Sequence, residues 1–276
     1  MSRIADDFLE RRPELLVQDQ SSDAWRRWAS RIAKPLEYYF RFRVSGLDKV
    51  PPGPCVIVAN HGAGAPFVIP LLHRAWWRQW GTRPVRGLVH RLVWQRPMCW
   101  FPLLPKLGGV LAHPRVAAAM LERGEAVFAF PGGDLEAMRP FWERSRVSFG
   151  GRSGFVRLAR QQGVPIVPLA ISGSHLVYLL LPGTTALARC FGLPRFLGLK
   201  AFPLTVGLVM VVVAAATTLV VPALWPVVLA ASVVALLPLP SRIEGKVLEP
   251  LVVPPDMTDA AFAEHIEGLM TEAIAG

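Results

Sequence analysis

Residues 201–241 contain no Asp, Glu, Lys or Arg, and this uncharged run is the strongest constraint on how the chain folds. A helix that crosses a membrane needs about 20 apolar residues, so the run is long enough for two such helices. Pro222 and Pro226 lie near its middle and predict a turn there. We therefore expect a hydrophobic membrane hairpin inserted into the fold. A hairpin buried in a soluble core is the alternative.

Basic residues flank the uncharged run on both sides, with Lys200 before it and Arg242 after it. Both ends of a hairpin return to the same membrane face, and basic residues favour the cytoplasmic side. We therefore expect a protein of the cytoplasmic membrane with its active site facing the cytosol. The composition agrees, since 52% of the residues are hydrophobic and only 18% are charged.

A second candidate for membrane contact lies at 24–42, after a polar arm that lacks the apolar stretch of a signal peptide. Aromatic and apolar side chains recur there at three- and four-residue spacing with basic residues between them, which is typical of an amphipathic helix at a membrane interface. The apolar set is Trp25, Trp28, Ile32, Leu36, Tyr39 and Phe40, and the basic set is Arg26, Arg27, Arg31 and Lys34. A helix packed on the domain core is the alternative.

The charge balance is strongly basic, with 30 Lys and Arg against 20 Asp and Glu and a net charge of +10. Such a balance suits nucleic acid, an anionic membrane or a phosphorylated ligand. No nucleic-acid motif is recognised, so we expect membrane lipids and no nucleic acid as partners. Three widely spaced cysteines outside any CxxC pattern predict neither a disulfide framework nor a metal site. The sequence does not determine the oligomeric state.

Between the two membrane candidates, short β-rich runs alternate with helical patterns, which predicts an α/β fold with a largely parallel sheet flanked by helices. Strands are predicted at 41–47, 56–59, 84–89, 110–112, 126–130 and 243–248, a turn and strand at 163–171, and helices at 67–80, 116–123 and 149–162. Pro70 is expected to confine the first of these helices to its later residues.

The predicted organisation has four parts. Residues 1–43 form the arm and interfacial helix, 44–200 the α/β core, 201–241 the hairpin, and 242–276 a strand and helix that complete the core. The last helix has Phe262, Ile266, Leu269, Met270 and Ala273 on one face and is capped by Asp256 or Thr258.

The clearest functional signal is the stretch VIVANHGAGAPF at 56–67, where a buried strand ends in Asn60 and His61. Ligands of α/β sheets usually bind at the carboxyl ends of the strands, and Gly62 and Gly64 permit close approach. His61 is therefore a candidate general base. A histidine that only satisfies a hydrogen bond at a strand end is the alternative.

A second candidate group of functional residues comes directly after the predicted strand at 126–130, in the stretch FPGGDLEAMRP. It supplies Pro131, Gly132 and Gly133 in a tight turn, then Glu136 and Arg139. We expect these groups at the same sheet edge as His61. The apolar stretch 95–106, with Met98, Trp100, Phe101, Leu103 and Leu104, is expected either to line an acyl-chain pocket or to belong to the core.

Four blocks in order, NHG, GGVLAHPR, FPGGDLEAMRP and GVPIVPLAISGS, resemble those of the glycerolipid acyltransferase superfamily, and of its diacylglycerol-acyltransferase-like branch in particular. The resemblance covers about residues 50–175. It implies transfer of a fatty acyl group from acyl-CoA or another thioester to a hydroxyl of a glycerolipid or lysophospholipid. It implies acyl-CoA as a co-substrate and no cofactor or metal.

The resemblance also implies roles for particular residues. His61 would be the general base, and Arg115 and Arg139 would hold phosphate on the acceptor or on CoA, since a guanidinium presents a planar fork of donors. The other residues expected at the substrate site are Asn60, Gly62, Pro131, Gly132, Gly133 and Glu136. Surface ion pairing is the alternative role of the two arginines.

One departure from the family pattern concerns the partner of His61. Much of the superfamily has an aspartate five positions after the histidine, where this chain has Pro66, and no carboxylate lies between Asp48 and Glu122. Losing such a partner can cost a histidine base several orders of magnitude in rate. We therefore expect either that Asp134 or Glu136 replaces the aspartate in space or that the protein is a catalytically weak or inactive lipid-binding member.

Overall fold

The computed structural model describes residues 7, 9–13, 20–90, 94, 103–193 and 200–275. Its described strands form one sheet of seven in the order β1-β7-β6-β2-β5-β3-β4. They are β1 (Arg43–Ser45), β2 (Val56–Ala59), β3 (Val85–Val89), β4 (Gly109–Leu111), β5 (Ala126–Ala129), β6 (Ile166–Ser172) and β7 (Glu244–Val247).

The sheet is largely parallel, as predicted. Strands β6, β2, β5, β3 and β4 run in one direction, and only β7 and β1 run the other way, because β7 pairs antiparallel to β6 and parallel to β1. The β7 strand that follows the hairpin thus lies inside the sheet, between β1 and β6. The α/β fold class is confirmed, while the division of the chain into four parts stays a prediction.

Helices cover both faces of the sheet. They are α1 (Asp23–Ile32), α2 (Lys34–Tyr39), α3 (Ala65–Trp80), α4 (Pro114–Glu122), α5 (Gly133–Ala137), α6 (Gly154–Gln162), α7 (Thr184–Cys190), α8 (Val206–Val220), α9 (Trp225–Leu236) and α10 (Asp259–Ala275). The predicted cap of the last helix is present, since Thr258 Oγ1 accepts the Ala261 N–H at 3.2 Å.

The central strand β2 shows how the sequence pattern builds the core. All four of its residues are buried. Val56 and Val58 contribute to the core on one face, together with α4, α6 and α10, and Ile57 and Ala59 contribute to the core on the other, together with α3. Alternate residues of a strand point to opposite faces, so a continuous apolar run fits a sheet that is covered on both sides.

The expectation that Pro70 confines its helix was wrong, because α3 runs without interruption from Ala65 to Trp80 with Pro70 inside it. Pro70 is the sixth residue of the helix, so its missing N–H removes one backbone bond, to the carbonyl of Pro66. Pro66 is exposed, and water can therefore satisfy that carbonyl.

The uncharged run forms a helical hairpin that turns at the prolines, as predicted. Its helices α8 and α9 are 15 and 12 residues long and are joined by a short 3-10 turn, Pro222–Leu224. They pack closely at Gly207, where a side chain would overlap the Ala235 carbonyl. Large apolar side chains of the hairpin are exposed, among them Leu219 at 85% and Trp225 at 62%.

The expected pair of membrane-spanning helices is not found. No helix in the described parts of the chain combines the length and the apolar character needed to cross a bilayer. The reason is geometric: non-helical backbone at 201–204 and 237–240, together with the turn at Pro222, leaves each helix only part of the uncharged run.

The single helix predicted at 24–42 is divided into α1 and α2 at Ala33. Helix α1 packs on α3 through its polar side: Arg26 and Ser30 are buried, and Arg26 donates to the carbonyls of Thr82 and Arg83 at 3.0 and 2.8 Å. Trp28 and Ile32, by contrast, are 45% and 54% exposed. The helix thus turns part of its apolar face away from the protein.

Candidate active site

His61 lies two residues beyond β2, at the carboxyl edge of the parallel strands. Its backbone N–H donates to Glu136 Oε2 at 2.8 Å, and its ring packs edge-on against Phe130, with the ring centroids 4.9 Å apart. The structure therefore brings together the ends of β2 and β5, which the sequence predicted to share one edge of the sheet.

The electrostatic environment keeps the His61 imidazole neutral. Burial lowers its pKa from 6.5 to about 4, against the opposing effects of the Gly62 backbone and the Asp134 carboxylate. A neutral imidazole has one nitrogen free to accept a proton, as a general base requires. Among the described residues, the buried Nδ1 of His61 has no hydrogen-bond partner.

Glu136 is the buried carboxylate that joins the two strand ends. It lies on α5 and accepts the backbone N–H of His61 with Oε2 and that of Ser148 with Oε1, the latter at 3.1 Å. Burial raises its pKa from 4.5 to about 7, and Glu267 acts in the same direction. The two backbone bonds and Arg139, whose Nη2 lies 3.8 Å from Oε1, oppose that rise.

No carboxylate in the described chain replaces the missing aspartate by a hydrogen bond to the His61 ring. Pro66 is exposed in the first turn of α3, and Glu136 binds the backbone of His61 rather than its side chain. Asp134 favours the charged imidazole electrostatically, but its oxygens contact the Lys200 N–H at 2.5 Å and Arg152 at 3.8 Å.

Asn60 forms a clamp within the sheet. Its side-chain Nδ2 donates to the Ile171 carbonyl at 2.8 Å, and its Oδ1 accepts the Ile171 N–H at 2.6 Å. The side chain is buried and uses both ends of its amide in these bonds to β6. A role for Asn60 in substrate binding stays a prediction.

The glycines of the site allow close packing of the chain on itself. A side chain at Gly62 would overlap the Ser174 hydroxyl, and one at Gly132 would overlap the Glu136 carboxylate. Gly133 has a φ of 54°, in the left-handed region that favours glycine. The carbonyls of Pro131 and Gly132 both accept hydrogen bonds from Arg152 Nη1. Whether these residues also contact substrate stays a prediction.

The two arginines predicted to hold phosphate differ in their surroundings. Arg139 is largely enclosed, donates to the carbonyls of Glu136 and Arg146, and pairs with Glu136 and Glu143. Arg115 follows His113, which caps α4 by accepting the Arg115 N–H at 3.2 Å, and its side chain is exposed. Of the two, Arg115 is the more accessible to a ligand.

Arg115 and His61 share the carboxyl edge of the sheet but not adjacent strands. Two strands, β5 and β3, separate β4 from β2. Neighbouring strands lie about 4.8 Å apart, so the ends of β4 and β2 are separated by about 14 Å. Any ligand that contacts both residues must therefore extend along the edge.

Three polar residues beside the site were missed from the sequence: Arg152, Ser174 and His175. Ser174 and His175 follow β6, the other neighbour of β2. The expectation that functional residues lie at the carboxyl ends of strands could therefore have found them. Arg152 carried no comparable signal. Of the predicted acyl-pocket residues, Met98, Trp100 and Phe101 lie outside the described residues, and Leu103 and Leu104 are partly buried before β4.

Comparison with known protein families finds a match over the part of the chain that carries this site. Residues 41–172 match the Acyltransferase family. The matched segment contains β1 to β6, His61, Arg115, Glu136 and Arg139. The resemblance to acyltransferases is thereby confirmed for this segment, while the assignment to a particular branch stays a prediction.

Individual relatives extend the similarity. An uncharacterized protein of Mycobacterium tuberculosis is 35% identical over 189 residues, which cover 65% of this chain and 52% of that protein. A 1-acyl-sn-glycerol-3-phosphate acyltransferase of Limnanthes douglasii is 35% identical over 94 residues, 31% of this chain and 34% of that enzyme. The chain thus spans about half the length of its mycobacterial relatives.

Among solved structures, the chain is similar to the 1-acyl-sn-glycerophosphate (LPA) acyltransferase PlsC from Thermotoga maritima. That match has a TM-score of 0.48 and 16% identity, and it covers 88% of this chain and 79% of PlsC.

Proposed function

We propose that the protein transfers a fatty acyl group from acyl-CoA or another acyl thioester to a hydroxyl of a glycerolipid or lysophospholipid. The observation that carries the proposal is the position of His61, a neutral imidazole at the carboxyl edge of the sheet whose backbone is held by Glu136. The family match at 41–172 supports the same reaction class. We assign the chain to the diacylglycerol-acyltransferase-like branch because it combines the PGG-to-Glu block with the absence of the aspartate.

In the proposed reaction, His61 acts as the general base. Its free ring nitrogen takes the proton of the acceptor hydroxyl while that oxygen attacks the thioester carbonyl carbon. The carbon–sulfur bond then breaks, and the departing thiolate takes the proton back from the imidazolium. The products are the acylated lipid and the free thiol, and the histidine returns to its neutral form.

A charged group on the donor or acceptor has a candidate site at Arg115. Its guanidinium is exposed at the carboxyl end of β4, and the described chain offers it no ion pair. Arginine binds phosphate through a planar fork of donors, and we assign this role to Arg115 first and to the enclosed Arg139 second.

The missing carboxylate favours a second candidate function, that of a lipid-binding protein with weak or no transferase activity. It rests on the buried Nδ1 of His61, which has no partner among the described residues. Without an orienting partner, a histidine base loses much of its catalytic advantage.

Thioester consumption by the purified full chain in lipid vesicles separates the two candidates. The assay presents acyl-CoA with a panel of lysophospholipid and monoacylglycerol acceptors and measures both free thiol and acylated lipid. The transferase proposal requires both products in equal amounts with at least one acceptor. Lipid binding without either product would replace it by the second candidate.

We also propose that the protein is held on the cytosolic face of the cytoplasmic membrane by its hairpin. At a rise of 1.5 Å per residue, α8 and α9 reach about 20 Å, which exceeds half of the roughly 30 Å hydrocarbon core. Their exposed leucine and valine side chains suit insertion from one side. Alkaline carbonate extraction tests this proposal, because intact protein released into the soluble fraction would contradict it.

A further inference from the structure

A fully buried histidine, His175, lies at the same edge of the sheet as His61 and has no part in the reaction described above. It follows β6 in the 3-10 turn Ser174–Leu176. Only 2% of its surface is exposed, and neither ring nitrogen has a hydrogen-bond partner within the described residues. Buried polar groups are normally hydrogen-bonded, so an imidazole with both nitrogens unpaired requires an explanation.

The turn that carries His175 packs directly against the loop that carries His61. Gly64 donates its N–H to the Ser174 carbonyl at 2.9 Å, and a side chain at Gly62 would overlap the Ser174 hydroxyl. That hydroxyl is also buried and unpaired in the described part of the chain. The two segments therefore meet beside Ser174, and within the described residues His61 Nδ1, the Ser174 hydroxyl and both ring nitrogens of His175 lack partners.

The charge state of His175 suits a hydrogen-bond acceptor. Burial, followed by the charge of Arg139 and the neighbouring His61, lowers the pKa of His175 from 6.5 to about 4. The ring is therefore neutral at pH 7, with one nitrogen available as an acceptor. A neutral acceptor is what the Nδ1–H of His61 needs where the family carboxylate is absent.

We propose that His175 is a positioning residue for His61, in place of the carboxylate that is missing at Pro66. The inference rests on the proposed acyl transfer. In the complex with acceptor lipid, His61 Nδ1–H donates to His175, directly or through the Ser174 hydroxyl, and the other His61 nitrogen stays free to take the proton. Such catalytic hydrogen bonds are often long before substrate binds and tighten in the complex.

The kinetic test compares His175→Ala with His73→Ala, a matched control. His73 on α3 also has both ring nitrogens buried and unpaired within the described chain, and burial also lowers its pKa to about 4. We expect His175→Ala to lower kcat by at least tenfold with little change in KM, since general-base catalysis as a whole is worth about 10²- to 10⁴-fold. His73→Ala should leave kcat within about twofold of the parent, because it removes no part of this catalysis.

Rescue distinguishes positioning from mere packing. Adding Pro66→Asp to His175→Ala restores the carboxylate at the family position and should recover most of the lost kcat. A purely structural defect would instead lower the unfolding temperature and would not respond to Pro66→Asp. The inference is overturned if His175→Ala matches His73→Ala in kcat or if the double variant shows no recovery.

A readout that does not need activity is the nitrogen NMR of the ¹⁵N-labelled imidazoles, of which the chain has six. The inference predicts that, in vesicles that contain lysophospholipid, His175→Ala changes the tautomer signal of His61 and that His73→Ala does not. An unchanged His61 signal overturns it whether or not the parent is active. A changed signal in a protein that transfers no acyl group would sustain the His61–His175 contact and reject the proposed function.

Discussion

At the residue scale, Asn60 tests whether a polar residue of the site stabilises the fold or binds substrate. Its amide makes two bonds to the backbone of Ile171, so Asn60→Ala leaves a buried N–H and a buried carbonyl unpaired. We expect a loss of about 2–6 kcal/mol in the free energy of unfolding, because each of the two buried unpaired groups costs about 1–3 kcal/mol. Denaturant unfolding measures this loss. A raised KM without lost stability would instead support the substrate role predicted for Asn60.

The pKa of His61 makes a second residue-scale prediction, on the pH dependence of catalysis. An imidazole with a pKa of 6.5 loses its base function as the pH falls through that value, but one with a pKa of about 4 stays deprotonated to lower pH. The pH profile of kcat/KM reports the pKa of the base in the free enzyme, so its acid limb should lie near pH 4. Glu136→Gln is the control, since it removes the group that titrates near pH 7. An acid limb near pH 6.5 in both proteins would contradict the lowered pKa of His61.

Several residues of the site could be predicted because they stand at strand ends, where sequence position determines location in a parallel sheet. His61 and Glu136 belong to this group, and the structure joins them through one hydrogen bond. The sequence could not predict that Glu136 binds the backbone of His61 rather than its ring. That contact depends on how α5 turns after Gly132, which is set by packing rather than by spacing.

At the element scale, α1 and α2 continue the exposed apolar surface of the hairpin. Trp28, Ile32, Pro35 and Tyr39 are exposed at four- and three-residue spacing, so they follow one side of the two helices. The stripe ends at the hairpin base, where Tyr39 Oη donates to the Pro238 carbonyl at 2.5 Å. Exposed Arg27 and Arg31 border it, as expected of a surface that faces anionic lipid.

Removing the stripe tests its contact with lipid. We expect Trp28→Ser with Ile32→Ser to weaken binding to anionic vesicles by at least tenfold, because burying one such side chain is worth about 1.5–3 kcal/mol. Co-sedimentation with the vesicles measures the effect. Val252→Ser is the control. Val252 is 78% exposed but follows Leu251, which pairs with Ile166 at the amino end of β6, opposite the end that carries the site. Equal binding by the stripe variant and the control would rule out the contact.

The elements themselves were predictable to different degrees. Buried strands such as β2 follow from continuous apolar runs, and the hairpin turn follows from Pro222 and Pro226. The helix lengths in the hairpin did not follow, since an uncharged run does not reveal how much of it stays outside the helices. The orientation of α1 also depended on tertiary contacts, because the bonds of Arg26 to Thr82 and Arg83 show which side is buried.

At the scale of the whole molecule, the membrane-facing elements and the site share one edge of the sheet. The hairpin rests on the chain that follows His175, where Leu239 N–H donates to the Val177 carbonyl and Val206 N–H to the Leu179 carbonyl. The end of α2 lies at this edge too, because Ile243 N–H donates to the Phe40 carbonyl beside the hairpin exit. A protein inserted by its hairpin would thus hold His61 close to the lipid surface that contains the acceptor.

The most direct test of the central claim, that His61 is the base of an acyl transfer at this edge, is the turnover of His61→Ala in vesicles that contain an accepted lipid. Acylated lipid formed from acyl-CoA is compared for the parent, His61→Ala and the control His73→Ala, at equal amounts of vesicle-bound protein. We predict a loss of about 10²- to 10⁴-fold for His61→Ala, the usual worth of a general base, and near-parent turnover for the control. Parent-like turnover by His61→Ala would contradict the account.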